Sequence, residues 1–90
     1  MEKDLNGLRE EIDAIDARIL DLLEQRIDVV REIGAYKKEH GLTISAPVRE
    51  LEILKDIYRN RRPGYSRYLA RIFQQIFTES KNIQENGPEK

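Results

Sequence analysis

Leu8-Arg9-Glu10-Glu11-Ile12-Asp13-Ala14-Ile15-Asp16-Ala17-Arg18-Ile19-Leu20-Asp21-Leu22 decides the fold. Leu8, Ile12, Ile15, Ile19 and Leu22 recur at steps of four and three, which places them on one face of a helix. The pattern continues through Val30 and Ile33 with no proline. A helix from about Lys3 to His40 spans roughly 55 Å at the usual rise per residue. A compact chain of this length has a radius of gyration of only about 12 Å. Such a helix outruns its own globule and leaves its apolar stripe bare. The expected cover is a second copy of the chain in a two-fold homodimer. Gly34 lies inside this helix at a cost of about 1 kcal/mol against Ala. It marks either a close approach or a tolerated glycine.

Outward from that helix, Gly41, Pro47 and the Pro63-Gly64 pair divide the chain. The expectation is all-α: a long first helix, a short second one opening at Pro47, and a medium third from about Tyr65 to Gln84. Residues 1–90 read as one domain, with 86–90 as a frayed tail. No alternating strand pattern and no internal repeat interrupts this reading.

The chain has no Cys, which removes disulfides and thiolate chemistry. No apolar run approaches the length of a membrane span. Met1-Glu2-Lys3-Asp4 leads into no apolar segment, so no signal peptide is expected and a cytoplasmic location is the default. Sixteen basic residues against seventeen acidic ones give a net charge of -1, which argues against nucleic acid or membrane surfaces as partners.

Polar residues then stand where the stripes require apolar ones. Past Leu22 the first stripe meets Arg26 and Lys37. Each could snorkel from the edge of the seam. Two cations on one buried face also suit an anionic ligand, because buried charge must be paired. On the third helix Leu69, Phe73 and Ile76 lead to Ser80 and Gln84. These are either a fraying end or the lining of a polar pocket. Leu51, Leu54 and Tyr58, with Ile57 beside them, form the expected core face of the second helix. Arg49 and Glu50 fall in its first turn, where an acid complements the helix dipole. Arg9 borders the first stripe. His40, the only histidine, reads as a helix-end residue. No Ser-His-Asp set, Gly-rich phosphate loop or metal cluster can be assembled, and no cofactor is expected. The composite is a cationic, hydrogen-bonding pocket for a small dicarboxylate, suited to catalysis by shape and electrostatics.

Leu8 to Asp16 resembles the opening of the all-helical chorismate mutases. Glu24-Gln25-Arg26 with Gly34-Ala35-Tyr36-Lys37, Val48-Arg49-Glu50, and Phe73 to Gln84 resemble that family's later segments, in order, over about residues 5 to 85. The resemblance implies an intertwined homodimer of three-helix chains that rearranges chorismate to prephenate in aromatic amino-acid biosynthesis. It implies that Arg26 binds a substrate carboxylate and that Arg9 reaches into the partner's site. Lys37 and Gln84 would donate to the ether oxygen, and Glu50 would accept from the ring hydroxyl. Arg49 would support the anionic site, and Ser80 would hydrogen-bond a carboxylate. One departure is Ala46, where the family often has Asp. The Ala46-Pro47 pair resembles the isochorismate-pyruvate lyases of the same fold, an alternative reading. A non-catalytic helical dimer or regulatory module is a third.

Overall fold

The computed structural model describes residues 4–86, and they form three helices with no strand among them: α1 (Leu5–Glu39), α2 (Pro47–Asn60) and α3 (Ser66–Asn86). The all-α, long–short–medium expectation holds. Lys3, the expected start of α1, lies outside the described residues, as do 87–90. Asn86, assigned to the tail on sequence, is instead the last residue of α3.

Local chemistry explains each boundary. Asp4 caps α1, its carboxylate accepting from the Gly7 amide at 2.8 Å. Lys37 and Lys38 occupy the last turn, where cations suit the dipole. Gly41 then adopts φ 66°, and the Gly41 and Leu42 amides bond back to the Lys38 and Lys37 carbonyls at 3.3 and 2.8 Å. This paired closure needs a left-handed residue, which Gly supplies without a Cβ penalty. Pro47 opens α2 as its first residue, and Ala46 at the cap offers no side-chain bond. Between α2 and α3, Pro63-Gly64 makes a tight turn with Gly64 at φ 87° and Tyr65 N–H bonded to Arg62 O at 3.0 Å.

α3 packs against both α1 and α2, which do not pack on each other among the described residues. Val30 of α1, Ile57 of α2 and Ala70 and Phe77 of α3 form the buried core. Buried Ser66 ties α3 to α2 by donating to Ile57 O at 3.4 Å and Arg62 O at 3.3 Å. Two faces are rotated from the sequence expectation. In α2, Leu51 and Tyr58 are exposed, and Ile57 instead forms the centre of the contact. In α3 the most buried line runs through Ala70 and Phe77 rather than Leu69 and Ile76, which are half-buried. Because α3 is gripped from two sides, its contact face is wider than one stripe and is centred between them.

The radius of gyration is 16.6 Å and the molecule is 58 Å long. Both exceed the compact expectation because the first half of α1 projects beyond the other helices. Leu8, Ile12, Ile15 and Ile19 are each 46–54% exposed in the single chain. Their line continues into an open apolar groove of about 420 Å³ between α1 and α3, lined by Leu23, Ile27, Val30, Ile72, Ile76 and Ile83 among others. No helix among the described residues is long and apolar enough to cross a membrane.

α1 and α3 approach closely at Gly34. A Cβ there would stand 3.1 Å from Gln84 Cγ and 3.2 Å from its Cα. The close-approach reading of this glycine is therefore the one the structure supports. Gly34→Ala gains about 1 kcal/mol of helix propensity but must push a packed backbone, and overpacking costs about 1–3 kcal/mol. Crowding should win because one of the obstructing atoms, Gln84 Cα at 3.2 Å, is main chain and cannot rotate away. We expect a melting-temperature fall of about 5 °C, roughly 1 kcal/mol for a domain of this size. A rise measured by circular dichroism would show that the helices separate freely.

Candidate active site

A cavity of about 460 Å³ opens where the second half of α1, the start of α2 and the end of α3 meet. That is ample for a small-molecule ligand. Its polar lining comprises Arg26, Lys37, Arg49, Glu50, Ser80, Lys81 and Gln84, and apolar side chains such as Val30, Ile33 and Phe77 form its walls. Six of the seven residues singled out on sequence thus meet in one place. Helical spacing explains the grouping, since Arg26, Val30, Ile33 and Lys37 share one face of α1.

The side chains are held by short bonds. Arg26 Nη1 donates to Ser80 Oγ at 2.5 Å, and Ser80 Oγ donates to Ile76 O at 2.8 Å. The hydroxyl therefore relays between a cation and the helix backbone. Lys37 Nζ donates to Ile44 O at 2.8 Å, anchoring the α1–α2 connection over the cavity. Gln84 Nε2 donates to Ser80 O at 3.3 Å, while its Oε1 is buried without a protein partner. Nε2 carries two protons, so one remains available to a ligand.

Glu50 Oε2 faces Lys81 Nζ at 3.5 Å. Arg49 lines the cavity, but its side chain is 71% exposed and its Nη1 lies 3.7 Å from Glu52 Oε1. An ion pair so exposed contributes little. Ala46 lines the cavity with its backbone carbonyl bonded to the Glu50 amide at 3.0 Å. Its departure from Asp leaves the first turn of α2 in place.

Four cations therefore surround one carboxylate, and this imbalance is the main electrostatic feature of the site. Burial lowers the Arg26 pKa from its usual value, and repulsion from Arg49 lowers it further. A guanidinium starts so high that it stays charged at neutral pH. Its solvation has been partly given up, which leaves its charge less shielded by water.

Arg9 is the residue the chain does not bring to this site. It is exposed, on the projecting half of α1, about 25 Å along the helix from Arg26. His40 caps α1, its Nδ1 2.8 Å from Tyr36 O and its ring stacked on Tyr36 at 3.9 Å, away from the cavity. Lys81 was not singled out on sequence. The signal was present: Phe73, Phe77, Lys81 and Gln84 follow steps of four, four and three, so Lys81 interrupts a second apolar line beside the one that was read.

The chain matches the family described as chorismate mutase type II over residues 8–85. The T-protein of Enterobacter agglomerans is 43% identical over 54 residues, 60% of this chain and 14% of that protein. The bifunctional chorismate mutase/prephenate dehydratase of Aquifex aeolicus is 33% identical over 88 residues, 92% of this chain and 24% of that protein. A 4-amino-4-deoxychorismate mutase of Streptomyces venezuelae is 29% identical over 87 residues, 93% of this chain and 84% of that protein. The chain thus spans a minor part of the first two relatives and most of the third. The match reaches from the projecting half of α1 to the last turns of α3 and takes in every polar residue of the cavity, so the chain belongs to the chorismate mutase type II family.

Proposed function

We propose that this chain is a chorismate mutase, an isomerase converting chorismate to prephenate in aromatic amino-acid biosynthesis. We also read residues 1–90 as one mutase domain, acting in the cytoplasm. The observation that carries the functional reading is the cavity where Arg26, Lys37, Arg49, Glu50, Ser80 and Gln84 converge inside the family match. The substrate is a dianion, and the cations Arg26, Lys37 and Arg49 suit it. Arg26, aimed by Ser80, takes one carboxylate, and Arg49 adds field at the mouth. Lys37 and the second Gln84 proton donate to the ether oxygen. That oxygen gains negative charge as its carbon–oxygen bond breaks, so these donors stabilise the transition state more than the ground state. Glu50 accepts from the ring hydroxyl. The walls hold the substrate in its compact conformer, and no covalent intermediate is required.

The functional unit in this reading is an intertwined homodimer. The bare stripe from Leu8 to Ile19 and the adjoining apolar groove are the surfaces a second copy would cover. Arg9 then enters the partner's cavity to clamp a carboxylate.

Incubation with chorismate should yield prephenate. Salicylate and pyruvate formed from isochorismate, with no prephenate from chorismate, would replace this reading with the lyase.

Arg9→Ala and Arg26→Ala should each be inactive as homodimers. Mixed and allowed to exchange, they should regain part of the wild-type activity, because some heterodimers carry one intact site. Proven exchange without recovered turnover would place Arg9 outside the partner's site.

Gln84→Glu keeps the side chain's shape but makes it titratable. The ionised carboxylate can only accept, and it repels the developing oxyanion. The neutral acid donates again. At pH 7 kcat should fall about 100-fold, the scale of losing one such donor. It should climb as pH drops toward the ordinary Glu range near about 4–5, with helicity monitored throughout. Wild type should show no such climb. A flat, wild-type-like profile for the variant removes Gln84 from the chemistry.

A further inference from the structure

Lys81 has no part in the mechanism above, yet it stands against the one carboxylate among the cavity's lining residues. Its Nζ is 3.5 Å from Glu50 Oε2, with the two side chains 39% and 26% exposed. The pair joins α3 to the first turn of α2 across the cavity mouth. It engages Oε2 and leaves Oε1 as the acceptor for substrate.

We propose that Lys81 determines specificity at the substrate position Glu50 receives: it holds Glu50 for a neutral hydroxyl and rejects a primary amine there. This rests on the mutase reading and on Glu50 as the ring-hydroxyl acceptor. The physical argument is charge. A hydroxyl donates one neutral hydrogen bond to Oε1 and is indifferent to a cation beyond the carboxylate. A primary alkylamine is an ammonium at neutral pH. Placed on Glu50, it would stand close to Lys81 and compete with it for the same carboxylate. Arg26, Lys37 and Arg49 raise the positive potential further. The relevant competitor is 4-amino-4-deoxychorismate, the compound in the name of the Streptomyces venezuelae relative, in which an amine replaces the hydroxyl.

The test is a charge series at one exposed-edge position: wild type, Lys81→Arg, Lys81→Met and Lys81→Glu. Each is assayed for kcat/KM with chorismate and with 4-amino-4-deoxychorismate. Where amine turnover falls below detection, its competitive inhibition of the chorismate reaction supplies the ratio. Lys81→Arg should keep the wild-type preference. Lys81→Met should shift the ratio toward the amine by about tenfold, the scale of a like-charge contact in a half-exposed site. Lys81→Glu should shift it further. The result that overturns the proposal is a ratio constant within twofold across the series. A purely structural Lys81 would give that result, because loss of packing slows both substrates alike. Wild type inactive on chorismate would instead reject the mutase reading, so the two failures are distinct.

Discussion

The structure depends on one close approach, Gly34 of α1 against the backbone of α3 at Gln84. Without a side chain at 34, the two helices meet with Gln84 Cα inside the space a Cβ would need. That contact sets the register between α1 and α3. Once it is set, Arg26 reaches Ser80, and Lys37 and Gln84 border the same cavity. A shift of one residue along α3 would turn Ser80 and Gln84 away from that cavity, because successive positions on a helix differ by about 100°.

α3 is the keystone for the same reason. It alone packs on both neighbours, and the buried hydroxyl of Ser66 fixes its start to the end of α2. The core this creates is small: among the described residues Val30, Ile57, Ala70 and Phe77 are the buried apolar ones. A small core cannot support a long projecting helix by itself. Among the described residues the apolar side chains of α1 before Leu23 stay largely exposed, and the groove beside α3 extends the same surface.

The cavity places Arg26, Lys37, Arg49 and Lys81 around a single carboxylate, Glu50. Arg26 is partly desolvated and repelled by Arg49, a disfavoured arrangement in the free protein. The unpartnered Gln84 Oε1 is a second cost in the same place. Polar groups held in position at such a cost need no reorganisation when charge develops on a substrate, and electrostatic catalysis works this way. Glu50 is the exception in a positive site, and Lys81 restrains it.

Much of this was legible in the chain. The spacing from Leu8 to Ile33, the breaks at Gly41 and Pro47 and the Pro63-Gly64 turn are local features, and local features fix helices. The polar interruptions at Arg26, Lys37, Ser80 and Gln84 were equally local, because each breaks a stripe that sequence alone defines. Other facts required the assembled chain. Leu51 and Tyr58 fit a core period but face outward, and Phe77 displaced Ile76 at the centre of α3. The pairing of Lys81 with Glu50 of another helix became visible only in the assembled chain. A period determines which residues share a face. It does not determine which face a neighbouring helix will cover, because that depends on shape and backbone approach between segments distant in sequence.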